Sequence, residues 1–240
     1  MENLQPKNMP KIIHKFKITP TDYAKNTPLK NYKRLTLNQR LKKRLQYGVM
    51  YQHPFVYDAV IWMTDPTELV FKNIAREIVG VTVLDLGCGT GKQVEYLPKG
   101  VKYIGLDLNE RFISFAKKNR NGKFFKKDIL GDLSEFTADT VILSDVLHHV
   151  TPHHQKLIKQ ALKIANSKVL ISACYEQEEN PLKNISEFIC RRIIDNDGLN
   201  HQREGAGWLS KREVLSFLRK NGAENFKQVV DHVFCEIITG

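Results

Sequence analysis

Apolar residues in the later part of the chain form short runs, and amphipathic segments with helical spacing separate these runs. Short runs rich in Val, Ile, Leu and Phe are typical of buried strands, whereas the segments between them favour helices. Strands and helices that alternate in this way predict a parallel sheet with helices on both faces. The predicted strands lie at or within residues 83–86, 101–108, 122–127, 139–145, 169–174, 226–230 and 233–238.

Local signals mark where the predicted helices begin and end. Asn109 suits the N-cap of a helix that starts at Glu110, because its side chain can accept hydrogen bonds from the first free amides. Ser210 and Glu213 have the spacing of a capping box, and Gly222 can end that helix. The predicted helices lie at 66–79, 92–97, 110–118, 152–165, 183–194 and 210–221.

The order of these elements predicts an α/β fold. The last two strands follow each other without a helix between them, so they should form an antiparallel hairpin at the end of a mostly parallel, doubly wound, seven-stranded sheet. Two hundred and forty residues suit one such core domain with an extension. We predict a basic, helical and aromatic cap at residues 1–64 and the core domain at residues 65–240.

The positive charge of the chain is concentrated near its first residues. Residues 1–50 contain 12 Lys and Arg against two acids, a balance of +10, whereas the whole chain carries +11. A basic helix is predicted from Thr36, which has Gln39 at capping-box spacing. Such a helix is compatible with a solvated cover over a ligand pocket, an anionic membrane surface, nucleic-acid phosphates or an organelle transit segment.

Cysteine usage and hydropathy point to a cytoplasmic protein. The four cysteines are scattered, with neither metal-binding nor disulfide-framework spacing, which is typical of reduced thiols. No apolar run reaches the roughly 18 residues of a membrane span, and the first residues lack the apolar core of a signal peptide. The expected location is therefore the cytoplasm, including the periphery of a membrane.

A glycine-dense turn follows the first predicted strand, where residues 85–92 read D-L-G-C-G-T-G-K. Glycines at such a turn let the backbone approach a ligand closely. A P-loop is excluded, because Leu86 stands in place of its first glycine and Gln93 in place of its hydroxyl residue. A dinucleotide fingerprint is excluded, because Lys92 stands in place of its last glycine. The pattern that remains is D-x-G-x-G-x-G.

This pattern resembles motif I of the class I S-adenosylmethionine-dependent methyltransferases. In that family the turn packs against the methionine part of the cofactor, which the resemblance implies for Gly87, Cys88, Gly89 and Gly91. It also implies that Asp85 helps to hold the charged amino-acid end, and a carboxylate does favour a nearby ammonium and sulfonium. We interpret Cys88 as a small residue that contacts the cofactor through its backbone, not as a nucleophile.

Later segments continue the resemblance in the family's order. Asp107 lies 22 residues beyond the acid of motif I and matches the acid that accepts both ribose hydroxyls. Asp128 matches the acid near the adenine amino group, and Ile129 would stack on the ring. The resemblance assigns Leu108 and Ser144 to the same cofactor site. The similarity covers roughly three quarters of the chain.

The candidate base and lid residues follow from chemistry and from the resemblance. A hydroxyl or an acidic carbon that accepts a methyl group needs a base, and histidine is the usual one. His149 is the first candidate and His148 the second, because both follow the predicted fourth strand, where the family places groups that contact the acceptor. Packing on the sheet and helix capping remain alternatives for both. The candidate residues for a lid or acceptor contact are Tyr51, Tyr57, His201 and Arg203.

The segment after the fourth strand narrows the substrate class. Residues 144–147, S-D-V-L, stand where amino-methylating DNA and glutamine enzymes carry Asn/Asp-Pro-Pro-Tyr/Phe. The chain resembles more closely the branch that methylates small molecules such as quinones, polyketides and lipids. We therefore predict metal-free methyl transfer to oxygen or carbon of a small, lipid-like or membrane-associated acceptor. An RNA methyltransferase that uses the basic arm, and a non-catalytic cofactor-binding subunit, are the alternatives.

Overall fold

The computed structural model describes residues 49–64, 68–175, 209–229 and 232–239. Within these ranges the chain forms seven strands, six α-helices and two short 3₁₀ helices. The strands are β1 Thr82–Leu86, β2 Lys102–Asp107, β3 Lys123–Lys126, β4 Ala138–Ser144, β5 Ala165–Cys174, β6 Glu224–Val229 and β7 His232–Ile238. The α-helices are α1 Val49–Gln52, α2 Pro54–Thr64, α3 Leu69–Arg76, α4 Glu110–Asn119, α5 His154–Ile164 and α6 Lys211–Lys220, and the 3₁₀ helices are Lys92–Tyr96 and His148–Val150.

All seven described strands belong to one sheet, in the order β3-β2-β1-β4-β5-β7-β6. The first five strands are parallel, and β7 runs antiparallel to both β5 and β6. This arrangement confirms the predicted doubly wound sheet and its antiparallel C-terminal hairpin. The strand order reverses between β1 and β4, and a crevice at the carboxyl ends of the strands is expected at that point.

The central strands are buried on both faces, as their nearly continuous apolar sequences predict. On one face Val83 packs in a cluster with Ile74 of α3 and Ile113 of α4. On the other face Leu84 packs in a larger cluster with Leu157 of α5. Because neighbouring residues of β1 point to opposite faces, this strand joins the two helical layers and fixes the position of the glycine turn that follows it.

The helix-capping predictions are confirmed for the described helices. The Asn109 side chain accepts hydrogen bonds from the backbone amides of Arg111 and Phe112 at the start of α4. Ser210 and Glu213 form a reciprocal capping box at the start of α6. These polar contacts satisfy amides that would otherwise lack partners at the ends of the two helices.

Two helix predictions are wrong in extent. The helix expected to run to residue 79 ends at Arg76, because the backbone of Val79 pairs with the Thr140 side chain. Its described start is Leu69, preceded by Glu68 in a left-handed conformation. The helix expected at 92–97 is a 3₁₀ helix. The expected start at residue 66, the helix at 183–194 and the basic arm with its helix lie outside the described residues.

None of the helices in the described ranges is long and apolar enough to cross a membrane.

Candidate active site

A pocket of about 860 Å³, including its open mouth, lies at the carboxyl edge of the parallel strands. Its walls come from the ends of β1, β2 and β4, from the segment after β3, and from the α1–α2 segment above them. This position agrees with the rule for ligand crevices in open α/β sheets. The lining residues are Tyr51, Tyr57, Gly87, Gly89, Asp107, Leu108, Asn109, Phe112, Lys127, Asp128, Ile129, Ser144, Asp145, Val146, His149 and Val150.

The glycine turn uses its backbone amides within the protein. The amides of Gly87 and Cys88 donate to the Leu106 carbonyl, and the amide of Gly89 donates to Asp107 Oδ2 at 2.8 Å. The Lys92 ammonium pairs with Glu68 at 2.9 Å. A phosphate-binding turn needs such amides and lysines to face its ligand. The turn is therefore unsuited to a diphosphate, in agreement with the sequence analysis.

The two glycines of the turn that line the pocket do not tolerate a side chain. Gly87 has a φ of 88°, and a Cβ there would lie 2.6 Å from a methyl group of Val146. Gly89 has a φ of 54°, and a Cβ there would lie 3.3 Å from the Tyr57 hydroxyl. Positive φ angles are costly for residues with a side chain. Both glycines line the pocket, so their missing side chains leave room for a ligand at the turn.

Asp107 lies on the pocket wall at the end of β2, as expected for the ribose acid. Its Oδ2 accepts from the Gly89 amide and its Oδ1 accepts from the Asn109 amide at 2.7 Å. These two bonds fix the carboxylate and connect it to the glycine turn. Each oxygen of an ionised carboxylate can accept more than one hydrogen bond, as the binding of a diol requires.

The predicted adenine end of the site also lies on the pocket wall. Asp128 Oδ1 accepts from the Leu130 amide at 2.9 Å, which holds the carboxylate in the loop after β3. Ile129, Leu108 and Ser144 line the same pocket. Seven of the ten predicted cofactor residues therefore line one pocket: Gly87, Gly89, Asp107, Leu108, Asp128, Ile129 and Ser144. Their roles in binding remain predictions.

Asp85 lies beneath the turn and not on the pocket wall. Its side chain is buried in β1, and its Oδ2 accepts from the Tyr103 hydroxyl at 2.6 Å. Its Oδ1 has no hydrogen-bond partner in the described part of the chain. Burial raises the pKa of Asp85 to about 7, although the bond from Tyr103 opposes the shift. An unpaired buried carboxyl oxygen is costly unless a donor or cation reaches it.

Two further predicted cofactor residues do not line the pocket. Cys88 is buried against Gly105, where its thiol would lie 2.7 Å from an added Cβ. Burial raises the pKa of Cys88 well above its ordinary value, so the thiolate is disfavoured, as expected for a residue that is not a nucleophile. Gly91 packs against Phe124 and Ala116 beneath the turn. Both residues shape the turn from below.

The histidine pair is split between the pocket wall and the layer behind it. His149 lines the pocket, and its Nε2 lies 3.3 Å from the Tyr51 hydroxyl. His148 does not line the pocket. Its ring lies 3.9 Å from that of His149, and its Nδ1 lies 3.1 Å from Cys174 Sγ. The geometry therefore favours His149 as the group that meets an acceptor and His148 as its support. Catalysis by either residue remains a prediction.

Asp145 is a pocket residue that the sequence analysis did not select. It follows β4 with a φ of 52°, and its Oδ2 pairs with His232 Nε2 at 2.8 Å. Burial raises the pKa of Asp145, but the contacts with His232, His148 and Cys174 outweigh this effect and lower the pKa overall. The sequence could have indicated Asp145 as a site residue, because it directly follows a predicted strand and the predicted site residue Ser144. Its partner on β7 was not visible in the sequence.

A second unexpected group fixes α2 onto the glycine turn. Asp58 Oδ1 accepts from the Thr90 hydroxyl at 2.5 Å, and its Oδ2 pairs with Arg120 at 2.6 Å. Arg120 also pairs with Glu95. The Tyr51 carbonyl accepts from the Asn109 side chain at 2.9 Å. These bonds hold Tyr51 and Tyr57 at the pocket wall, and their role as a lid remains a prediction. His201 and Arg203 lie outside the described residues.

Within the described ranges, no group of three or more His, Cys, Asp or Glu side chains is arranged to hold a metal ion.

Comparison with known proteins identifies the family. A family model described as a methyltransferase domain matches residues 79–223, which is more than half of the chain. The chain belongs to this methyltransferase-domain family. It is 28% identical over 151 residues to an uncharacterized protein of Haemophilus influenzae, covering 55% of this chain and 58% of that protein, so it spans less than two thirds of that relative's length. It is 31% identical over 105 residues to the ribosomal protein L11 methyltransferase of Photobacterium profundum, covering 40% of this chain and 36% of that protein.

Solved structures share the fold of this methyltransferase. Magnesium protoporphyrin IX methyltransferase from Synechocystis has 17% identity and a TM-score of 0.53, with coverage of 78% of this chain and 87% of that chain. A possible histamine N-methyltransferase from Thermotoga maritima has 16% identity and a TM-score of 0.54, with coverage of 78% and 96%. Human N-acetylserotonin methyltransferase has 15% identity and a TM-score of 0.56, with coverage of 80% and 56%.

Proposed function

We propose that this methyltransferase binds S-adenosylmethionine in the described pocket. We also propose that it transfers the methyl group to an oxygen or carbon atom of a small, lipid-like or membrane-associated acceptor. The observation that carries the proposal is the fixed carboxylate of Asp107 beside a glycine turn whose own amides are occupied. This arrangement suits a diol and a cation, and it does not suit a diphosphate.

The residues present fit the proposed cofactor. Asp107 would accept from the ribose hydroxyls, Asp128 from the adenine amino group, and Gly87 and Gly89 leave room for the methionine part. Asp85 lies beneath the turn and not on the pocket wall, so its predicted contact with the ammonium rests on the family resemblance and on its buried Oδ1, which has no partner in the described ranges. Two similar structures were solved with this cofactor or its product: the human N-acetylserotonin enzyme with S-adenosylmethionine and the Synechocystis enzyme with S-adenosylhomocysteine.

The chain's own groups would position and deprotonate the acceptor. The bound cofactor supplies an activated methyl group, so the protein's main tasks are orientation and exclusion of water. His149 would take the proton of an acceptor hydroxyl through the ring nitrogen that does not pair with Tyr51, and the Tyr51 hydroxyl, 3.3 Å from Nε2, would hold the imidazole in place. Tyr57 and Phe112 form the apolar wall beside it, with ring centroids 4.8 Å apart. Asp145 adds a hydrogen-bond acceptor to the pocket lining.

The proposed class of acceptor rests on the residues that line the pocket and on the fold shared with enzymes that methylate small molecules. Apart from Lys127 and the acids Asp107, Asp128 and Asp145, the described wall consists mainly of aromatic and aliphatic side chains, which suits a small apolar acceptor. Mitomycin 7-O-methyltransferase is among the structures of the same fold, with 14% identity and a TM-score of 0.55. The basic segment at residues 1–50 would attract an anionic membrane that holds a lipid-like acceptor.

RNA methylation is the second candidate, because the same basic segment could contact phosphates. The Photobacterium profundum relative, a ribosomal protein L11 methyltransferase that matches 40% of this chain, makes protein methylation a further candidate function. A non-catalytic cofactor-binding subunit is the remaining alternative.

Transfer of labelled methyl groups tests the proposed function. The full chain would be incubated with methyl-labelled S-adenosylmethionine and separate lipid, small-molecule, RNA and protein fractions. We expect label in the lipid or small-molecule fraction. His149→Gln should abolish most of it, whereas His153→Gln, outside the pocket lining, should not. Label confined to RNA or protein, or no label despite cofactor binding, would contradict the proposed acceptor class.

A further inference from the structure

The outer face of α2 exposes a stripe of large apolar side chains. Phe55 is 74% exposed, Trp62 is 55% exposed and Met63 is 71% exposed. Their spacing of seven and eight residues places them on one side of the helix. We refer to Phe55, Trp62 and Met63 as the α2 stripe.

The remaining faces of α2 make the specific contacts with the rest of the fold. Tyr57, opposite the stripe, lies over Gly89, and Asp58, at the edge of the stripe, pairs with Thr90 and Arg120. Asp58 is the only acidic residue between positions 49 and 64, and this segment contains no Lys or Arg. A helix that is apolar on both sides is normally covered on both sides. In the part of the chain that the structure describes, the α2 stripe remains exposed.

Positive charge borders the α2 stripe. On the neighbouring helix α4, Phe115 packs edge-on against Phe55 with ring centroids 5.0 Å apart. Arg111 and Lys118 are exposed one turn to either side of Phe115, and Arg111 Nη1 donates to the Gln52 carbonyl at 3.0 Å. In sequence, α1 and α2 directly follow the segment that holds 12 Lys and Arg against two acids. Aromatic and apolar groups bordered by cations are typical of surfaces that bind anionic bilayers.

We propose that the α2 stripe is a docking surface for an anionic lipid bilayer. Phe55, Trp62 and Met63 enter the boundary between headgroups and acyl chains, while Arg111 and Lys118 lie at the headgroups. This inference deepens the proposed function, since it rests on a lipid-like acceptor. Tyr57 on the inner face of the same helix lines the pocket, so docking brings the pocket lid to the surface that holds the acceptor.

The position of Trp62 permits a direct test with the full chain. Trp208, the second tryptophan, is replaced by Phe so that fluorescence reports Trp62 alone. Vesicles of phosphatidylcholine with about 30% phosphatidylserine should shift the emission to shorter wavelength and protect Trp62 from acrylamide, because the ring leaves water. Phosphatidylcholine vesicles alone should do so much less. Emission that is already blue-shifted and protected without vesicles would show that the chain itself covers the stripe, and would overturn the proposal.

Sedimentation with vesicles separates the α2 stripe from general charge attraction. The variant Phe55→Ser/Trp62→Ser/Met63→Ser should lose at least about tenfold in affinity for the anionic vesicles, because three large apolar groups no longer leave water. Val81→Ser is the matched control, since Val81 is 62% exposed at the other end of β1 and should bind as the unaltered chain does. Equal binding by the triple variant would overturn the proposal. So would a dimer in solution that the triple variant abolishes.

Cofactor binding without vesicles keeps the two proposals distinguishable. S-adenosylmethionine titrations in the absence of lipid should give similar affinities for the unaltered chain and the triple variant, because the stripe faces away from the pocket. If neither binds the cofactor, the proposed function fails irrespective of lipid. If both bind it and the vesicle results are negative, only the docking surface fails.

Discussion

Replacing Asp85 by Asn should change how the stability of the protein depends on pH. Asp85 is buried, with one oxygen bonded to Tyr103 and the other without a partner in the described ranges. Its pKa is raised by burial to about 7 from 3.8. The folded chain therefore retains a proton that the unfolded chain releases between about pH 4 and pH 7. Because the folded state binds more protons in this window, stability falls as the pH rises.

The magnitude follows from the size of the shift. A difference of about three pH units between the folded and unfolded states corresponds to about 4 kcal/mol of unfolding free energy. This stability is fully present below about pH 4 and is lost by about pH 7. Asn has nearly the same shape but does not titrate, so the Asp85→Asn variant should lack this decline.

Urea unfolding at half-unit pH intervals measures the effect. The difference in unfolding free energy between the unaltered chain and Asp85→Asn should change by about 4 kcal/mol across the window. The exposed Asp132 provides a control, and Asp132→Asn should retain almost the whole decline. Parallel pH curves for the unaltered chain and Asp85→Asn would refute the assignment of a raised pKa to Asp85.

Three other substitutions test separate parts of the account. Gly87→Ala places a Cβ 2.6 Å from a methyl group of Val146 at a positive φ, so cofactor affinity measured by calorimetry should fall at least about tenfold. Tyr51→Phe removes the hydroxyl beside His149, so kcat should fall about tenfold while cofactor affinity stays unchanged. Lys168→Met leaves the buried carboxylate of Glu236 without its cation, so the free energy of unfolding measured in urea should fall by about 3 kcal/mol. An unchanged cofactor affinity for Gly87→Ala, an unchanged kcat for Tyr51→Phe or an unchanged unfolding free energy for Lys168→Met would contradict the role given to that residue.

The sheet could be predicted from the sequence because burial on two faces leaves a strong local signal. The apolar run of β2 ends in Asp107 and that of β4 ends in Ser144, both at the edge where the pocket forms. Parallel strands place these ends side by side, so Asp107 and Ser144 could be assigned to one site before any contact was known. Capping residues were equally readable, since their partners lie within three positions.

Contacts between distant segments could not be predicted in this way. Asp58 meets Thr90 and Arg120 across 32 and 62 positions, and Asp145 meets His232 across 87 positions. No local pattern marks such pairs, because each depends on how separate elements pack. The end of α3 shows the same limit. Its periodicity suggested a longer helix, but the side chain of Thr140 holds the backbone of Val79 in another conformation.

The central claim is that Asp107 and the glycine turn bind S-adenosylmethionine. Calorimetric titration of the unaltered chain and of Asp107→Ala tests it most directly, with Asp132→Ala as a control and thermal unfolding to establish that each variant is folded. The account predicts binding by the unaltered chain and by the control, and an affinity about 10- to 100-fold weaker for Asp107→Ala, because hydrogen bonds to a carboxylate are lost. Equal affinity for Asp107→Ala, or no binding by the unaltered chain, would contradict it.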